Sequence, residues 1–422
     1  MRLSSIAVGS ALFGVLAVAN HADAFTPTRV LRGNCRSNII IVNHRIDDSR
    51  LFAATPTEKD IERFQSYGEA SRKFRRSYFS HSDWLRARRD DRFLYNFKSI
   101  LNSGIARQLA KEVGFVAAIS TFIVVWNALL VAGYDDFSGL RHAPLISSDL
   151  LPLLKLPADP FTLSSPALGL LLVFRTNSSY SRWDEGRKAW GQIINNTRTC
   201  MRLGTTWADL KQDGSKKKLE RLADAVWSFP RSLTYHLLGP LEDGAAYARD
   251  VQKLNDKQYA QDLLEVRHKP TRALKEITEA LHDINFSSIM YRAEVEKAVT
   301  ALCDALGACE RIFTSPVPVF YTRHTARFLV NWLFFLPLAL YKPFDFTWNH
   351  WAMIPAAVVI SYFLLGIEEL AAQMEEPFSI LPMEKMTGGI RLSADEHVDW
   401  KDYFEVSNQP DSFYTLDTRK YY

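Results

Sequence analysis

Four cysteines in 422 residues are few, and Cys35, Cys200, Cys303 and Cys309 form no CxxC or other short ligand spacing. Neither a disulfide framework nor a cysteine-based zinc site is supported, and the thiols read as buried or idle. A charge excess is missing too, since 51 Lys+Arg stand against 47 Asp+Glu. Such a balance leaves no electrostatic footprint for nucleic acid. No P-loop, HExxH or GxSxG segment and no paired Cys/His cluster occurs. The sequence therefore offers no grounds for an enzyme, a cofactor or a bound metal. Internal repeats and low-complexity tracts are absent as well. Mean hydropathy is near neutral, too polar for a chain lying mostly in a membrane, so a large water-facing part is expected. The length suits one large domain or two ordinary ones.

What is present begins with targeting. Arg2 precedes the apolar run "IAVGSALFGVLAVA" and the small-residue site Ala22-Asp23-Ala24. That is a signal-peptide pattern over residues 1–24, too short to span a membrane. The next stretch, "FTPTRVLRGNCRSNIIIVNHR", is basic and has no acid before Asp47, so residues 25–55 read as a plastid transit peptide. The junction Ala24-Phe25 resembles the bipartite presequences of algae with complex plastids. The alternative is an ordinary signal peptide on a secreted protein. A fluorescent fusion carrying Phe25→Ala is expected to stop in the endoplasmic reticulum or the compartment around the plastid. Delivery to the plastid as in wild type contradicts the bipartite reading.

Four apolar regions follow. The first, Gly114–Tyr134, is uncharged over 21 residues, which suits a bilayer core of roughly 30 Å. The second, Leu150–Phe174, is broken by Lys155, Asp159 and several prolines. The third runs over Phe328–Tyr341 and the fourth over Trp351–Ile367. Interrupted spans are tolerated where they face protein or a water-filled cavity. The alternative is a soluble protein with buried core helices, and an uncharged first span argues against it. Four spans place both termini on one side. The Arg- and Lys-rich approach over residues 72–111 puts them, with the charged segment 175–327, on the synthesis-side face. Within that segment "KKKLERLADAVWSF" and "AEVEKAVTALCDALGACERIF" carry apolar residues at three- and four-residue spacing, so a helical extramembrane domain is expected.

The pair Ser165-Pro166 reads as a helix start, with serine as cap and proline in the first turn. A helix beginning there presents its positive end inside the membrane. Pro166, Leu170 and Phe174 then share one stripe at i, i+4, i+8. A ring of such stripes makes an apolar neck, and a Phe ring edge faces an anion without binding it tightly. Beyond Phe174 the cations Arg175, Arg182, Arg187 and Lys188 read as a basic vestibule or its outer wall. Asp184 and Lys188 also make an i, i+4 surface pair, and a solvated, packed helix is the plain alternative for these charges.

The stretch "LLLVFRTNSSYSRWDEGRKAWGQIINNTRT" resembles the signature of the bestrophin anion-channel family, nearest its plant and algal thylakoid chloride-channel branch. "LGACERIFTSPVPVFYTRHTARFL" is similar to the family's entry to its third span, and "EEPFSILPME" to the stretch after its fourth. The resemblance covers about Phe74 to Met386. It implies an all-α membrane protein: four transmembrane helices and a large helical stromal domain, in a homopentamer around one pore, with both termini in the stroma. A channel domain over residues 72–386 and a polar tail over 391–422 follow. The family's neck maps onto Pro166, Leu170 and Phe174, with proline departing from the usual aliphatic residue. A second constriction maps onto the helix before "ERIFTSPVP", with Val299 or Leu302 as candidates. The acidic run that holds calcium in animal members is replaced here by "SILPMEKMTGG", so no clasp of that kind is expected. The implied activity is passive chloride flow that dissipates thylakoid membrane potential. Bicarbonate supply to the thylakoid lumen and a non-conducting membrane scaffold are the alternatives.

Overall fold

The computed structural model describes residue 62 and residues 67–90, 92–100, 103–146, 151–208 and 215–407. The expected presequence and the last fifteen residues lie outside them. Short helices α1 (Tyr67–Arg72), α2 (His81–Ala87), α3 (Arg92–Ser99) and α4 (Gly104–Gln108) lead into α5 (Ala110–Trp126), which a π-helical turn extends over Asn127–Ala132. Two short antiparallel strands follow, β1 (Tyr134–Asp135) and β2 (Arg141–His142). Then come α6 (Asp159–Thr206), α7 (Ser215–Leu238), α8 (Pro240–Val251), α9 (Lys257–Glu265), α10 (Lys269–Asp283), α11 (Ile289–Thr314), α12 (Val319–Leu340), α13 (Met353–Glu375) and α14 (Met383–Ser407). The chain divides into two compact units, one of Lys111–Ser165 and Val330–Tyr362, the other of Thr55–Ala110, Pro166–Leu329 and Phe363–Tyr422.

In the first unit, Ile123, Val124, Leu338, Tyr341 and Met353 form the core. Leu151–Ala158 is not helical, contrary to its place in the expected second span. Pro152 and Pro157 are the reason, since each pushes the residue before it out of the helical region. Part of the segment's polar backbone is satisfied by a side chain and by a helix carbonyl instead. Asn127 donates to the Leu154 carbonyl at 2.9 Å and accepts from the Leu154 N–H at 2.8 Å. The Leu156 N–H bonds the Leu338 carbonyl at 2.9 Å.

Helix α6 starts at Asp159, not at Ser165-Pro166. Asp159 supplies the acidic first turn, and Pro160 sits where its missing N–H costs nothing. Pro166 is inside the helix and deprives the Thr162 carbonyl of its usual donor. Ser165 is therefore inside the helix and not its cap, and the neighbouring Ser164 accepts from Trp332 Nε1 at 3.2 Å.

The second unit is built around α7. Residues 222–234 are buried without a break, so this helix is enclosed on all sides rather than amphipathic as its spacing suggests. The charged and hydroxyl side chains of that buried stretch are all engaged. Arg231 reaches Asp243 and, at 2.8 Å, Asp250. Ser228 meets the Tyr259 hydroxyl at 2.6 Å and Ser232 that of Tyr247 at 2.9 Å. Asp224 accepts from Arg391 at 2.6 Å. That last pair corrects the expected polar tail: Arg391–Ser407 continues α14, and Ile390, Ala394 and Val398 lie in the core. The packed chain thus runs past the expected end at 386. At the other end Arg72 binds Glu376 at 2.8 Å and Arg76 binds Glu384 at 2.9 Å, which ties α1 and the segment after it into this unit.

Two helical stretches among the described residues, Ala110–Ala132 and Trp348–Glu375, are long and apolar enough to cross a membrane.

Candidate functional site

From Pro166 onward α6 has two faces. Leu168 and Leu172 are buried at 2% exposure each, while Leu170 is 55% and Phe174 53% exposed. Pro166 is exposed as well. The expected stripe is therefore an apolar face that the subunit does not cover. Below it the same side turns polar through the exposed Asn177, Ser181 and Lys188. Hydroxyls along the helix bond backwards to its own carbonyls, Thr176 to Leu172 at 2.8 Å and Ser178 to Phe174 at 2.9 Å. These hydroxyls are thereby satisfied within the helix, without outside partners.

The four cations after Phe174 do not act alike. Arg175 is 3% exposed and points away from the stripe. It lies 2.7 Å from Glu375 and 3.4 Å from Glu368 on α13 and donates to Ser179. A buried cation needs such partners, so Arg175 is a structural clamp and not a vestibule charge. Arg182 donates to three carbonyls: Glu375 at 2.9 Å, Ser315 at 2.6 Å and Ile312 at 2.6 Å. It closes the C-terminal ends of α11 and α13, where unpaired carbonyls and the negative helix ends favour a cation. Burial lowers its pKa and the Glu375 and Glu185 charges oppose that. Only Arg187 and Lys188 face solvent, and Lys188 pairs with Asp184 at 2.6 Å. Gly186 has its own reason. A Cβ there would lie 3.1 Å from the Pro377 ring, so glycine allows α6 to meet the turn at Pro377–Ser379.

Val299 and Leu302 do not border any opening. They are 7% and 0% exposed and belong to the core of the second unit. Val295, Val299, Leu302, Leu306 and Cys309 form the inward seam of α11, so the two candidates that the resemblance implied for a second constriction are core residues. The free side of α11 carries Thr300, Cys303, Asp304 and Gly307.

Sequence reasoning missed one cluster. His236, His268 and Glu310 lie on α7, before α10 and on α11, and their ligand atoms all fall within 4.8 Å of one another. No short motif announces them, because the fold alone brings them together.

Comparison with known proteins agrees with this architecture. A family model described as Bacterial/Fungal Bestrophin protein matches residues 83–396. The chain is 31% identical over 331 residues to voltage-dependent chloride channel 2, chloroplastic, of Arabidopsis thaliana, covering 78% of this chain and 74% of that protein. It is 25% identical over 267 residues to the voltage-dependent anion channel-forming protein sll1024 of Synechocystis, covering 60% and 81%. In three dimensions it is similar to a bacterial bestrophin homolog from Klebsiella pneumoniae, at a TM-score of 0.55 and 22% identity over 69% of this chain and 98% of the other. Sequence signature, helical architecture and the extent of the family match lead to one assignment: the chain belongs to the bestrophin family.

Proposed function

We propose that this protein is a passive anion channel of the plastid thylakoid membrane, carrying chloride and dissipating membrane potential. The observation that carries the reading is the uncovered apolar face of α6, Leu170 and Phe174, on a helix whose opposite face is locked in the subunit by Arg175 and Arg182. Five such faces around an axis make a narrow, weakly interacting neck, and weak interaction lets an anion leave as readily as it enters. The names of the chloroplastic relatives support both the ion and the organelle. In this reading α5, α6, α12 and α13 supply four spans, with the termini in the stroma. Arg187 and Lys188 supply the cationic approach to the neck. Any further constriction on α11 has to use its small polar face, since Val299 and Leu302 are core.

Calcium has no part in this mechanism. The acids beside the Pro377 turn already face arginines, Glu375 with Arg175 and Glu376 with Arg72, at 2.7 and 2.8 Å. Chloride efflux from liposomes carrying the purified protein is expected to be fast relative to empty liposomes, and unchanged from nanomolar to millimolar free calcium. A steep calcium dependence overturns the second point. Absence of efflux leaves the scaffold as the reading. Efflux that favours bicarbonate over chloride makes bicarbonate the physiological ion.

A further inference from the structure

We propose that His236, His268 and Glu310 form a site for a borderline divalent transition cation such as Zn²⁺, separate from the conduction path. The three residues come from the end of α7, the residue before α10 and the last turns of α11. Both imidazoles place Nε2 toward the same carboxylate oxygen: Glu310 Oε1 is 3.3 Å from His236 and 2.8 Å from His268. Tetrahedral zinc with bonds of about 2.0–2.1 Å spaces its ligand atoms about 3.3–3.5 Å apart. The His236–Glu310 pair already meets that spacing, the His268–Glu310 pair needs to open by about half an ångström, and the two imidazoles lie within 4.8 Å of each other. Two imidazole nitrogens and one carboxylate suit zinc and its neighbours. Calcium and magnesium prefer an all-oxygen shell.

The surroundings favour ligation. His236 is largely enclosed, with 8% of its side chain exposed, so an ion held there is shielded from solvent on that side. His268 and Glu310 are partly exposed, at 38% and 31% of their side chains, and give an ion a way in and a water a fourth position. A metal on His268 Nε2 requires the proton on Nδ1. Thr271 Oγ1 lies 2.7 Å from Nδ1 and accepts that proton. The bond from the Thr271 N–H to Nδ1, 3.3 Å without metal, is given up. Thr271 is thus the outer partner that fixes the ring tautomer. Nearby Lys269 does not compete, because its ammonium is held by the Leu264 and Val266 carbonyls at 2.9 Å each. A bound cation would fix Glu310 two residues from Ile312, whose carbonyl Arg182 holds.

The test is titration of the chelator-treated full-length protein with Zn²⁺ in excess Mg²⁺, and with Co²⁺ as a spectroscopic probe. One site per subunit is expected, with the intense visible bands of tetrahedral Co²⁺ and X-ray absorption showing two imidazole nitrogens per metal. Glu310→Gln and His268→Ala are expected to weaken binding by about 100-fold or more, beyond the roughly 10–100-fold typical of outer-shell changes. Thr271→Val should weaken it about 10-fold and Thr271→Ser should restore it. Octahedral Co²⁺ spectra, fewer than two imidazoles per metal, or equal displacement by Ca²⁺ overturns the proposal. The wild-type spectra decide even where a variant fails to fold.

Discussion

Replacing Leu170 and Phe174 together with alanine is expected to raise conductance and flatten the channel's preference for weakly hydrated anions. An ion crossing a narrow apolar neck sheds water that ring edges and backbone dipoles replace only in part. Iodide loses water more easily than chloride and should permeate better in the wild type. A wider neck lets both ions keep their shells. The stability cost separates this account from a packing role. A buried leucine or phenylalanine cut to alanine costs about 2–5 kcal/mol. Leu170 and Phe174 are more than half exposed in the subunit, so a far smaller loss is expected unless neighbouring subunits cover them. Bilayer recording with an iodide–chloride exchange is the check. A double variant that assembles normally with unchanged conductance and selectivity places the stripe against lipid or another helix.

Arg175→Ala has the opposite character. It leaves Glu368 and Glu375, each about a fifth exposed, beside an empty space, with their 3.4 and 2.7 Å pairings gone. Removing one partner of a fully buried ion pair costs about 3–5 kcal/mol. With the two carboxylates partly exposed, the loss is expected toward the lower end, still a large share of the roughly 5–15 kcal/mol that holds a typical domain together. The variant is expected to lose its cooperative thermal transition or to unfold at much lower temperature. The neutral triple Arg175→Met, Glu368→Gln, Glu375→Gln should recover most of the loss, because no charge is then buried alone. Thermal unfolding in detergent measures both. Wild-type stability in the alanine variant would return Arg175 to the vestibule.

The difference between Arg175 and Arg187 shows where sequence reading stopped. Both follow the apolar run, and charge alone does not say which one turns inward. Burial is decided by Glu368 and Glu375, nearly two hundred residues away, and by the carbonyl ends of α11 and α13 that Arg182 closes. The same limit applies to α7, whose serines, threonine and Arg231 read as a polar face until their partners Tyr247, Tyr259 and Asp243 are in place. Local chemistry was readable where it is self-contained. The α6 stripe, the helix content and the uncharged first span all follow from spacing and composition. The helix start was misread because Ser165-Pro166 carries a start signal that Asp159-Pro160 carries as well. Val299 and Leu302 were misplaced for a different reason: the resemblance pointed to the helix, but which of its faces turns inward is set by the core it packs against.

The most direct measurement is the reversal potential of the purified protein in a planar bilayer across a potassium chloride gradient. The account predicts a reversal close to the chloride equilibrium potential, shifted toward that of iodide when iodide replaces chloride on one side. A reversal near the potassium equilibrium potential, or a silent bilayer with protein demonstrably inserted, contradicts it.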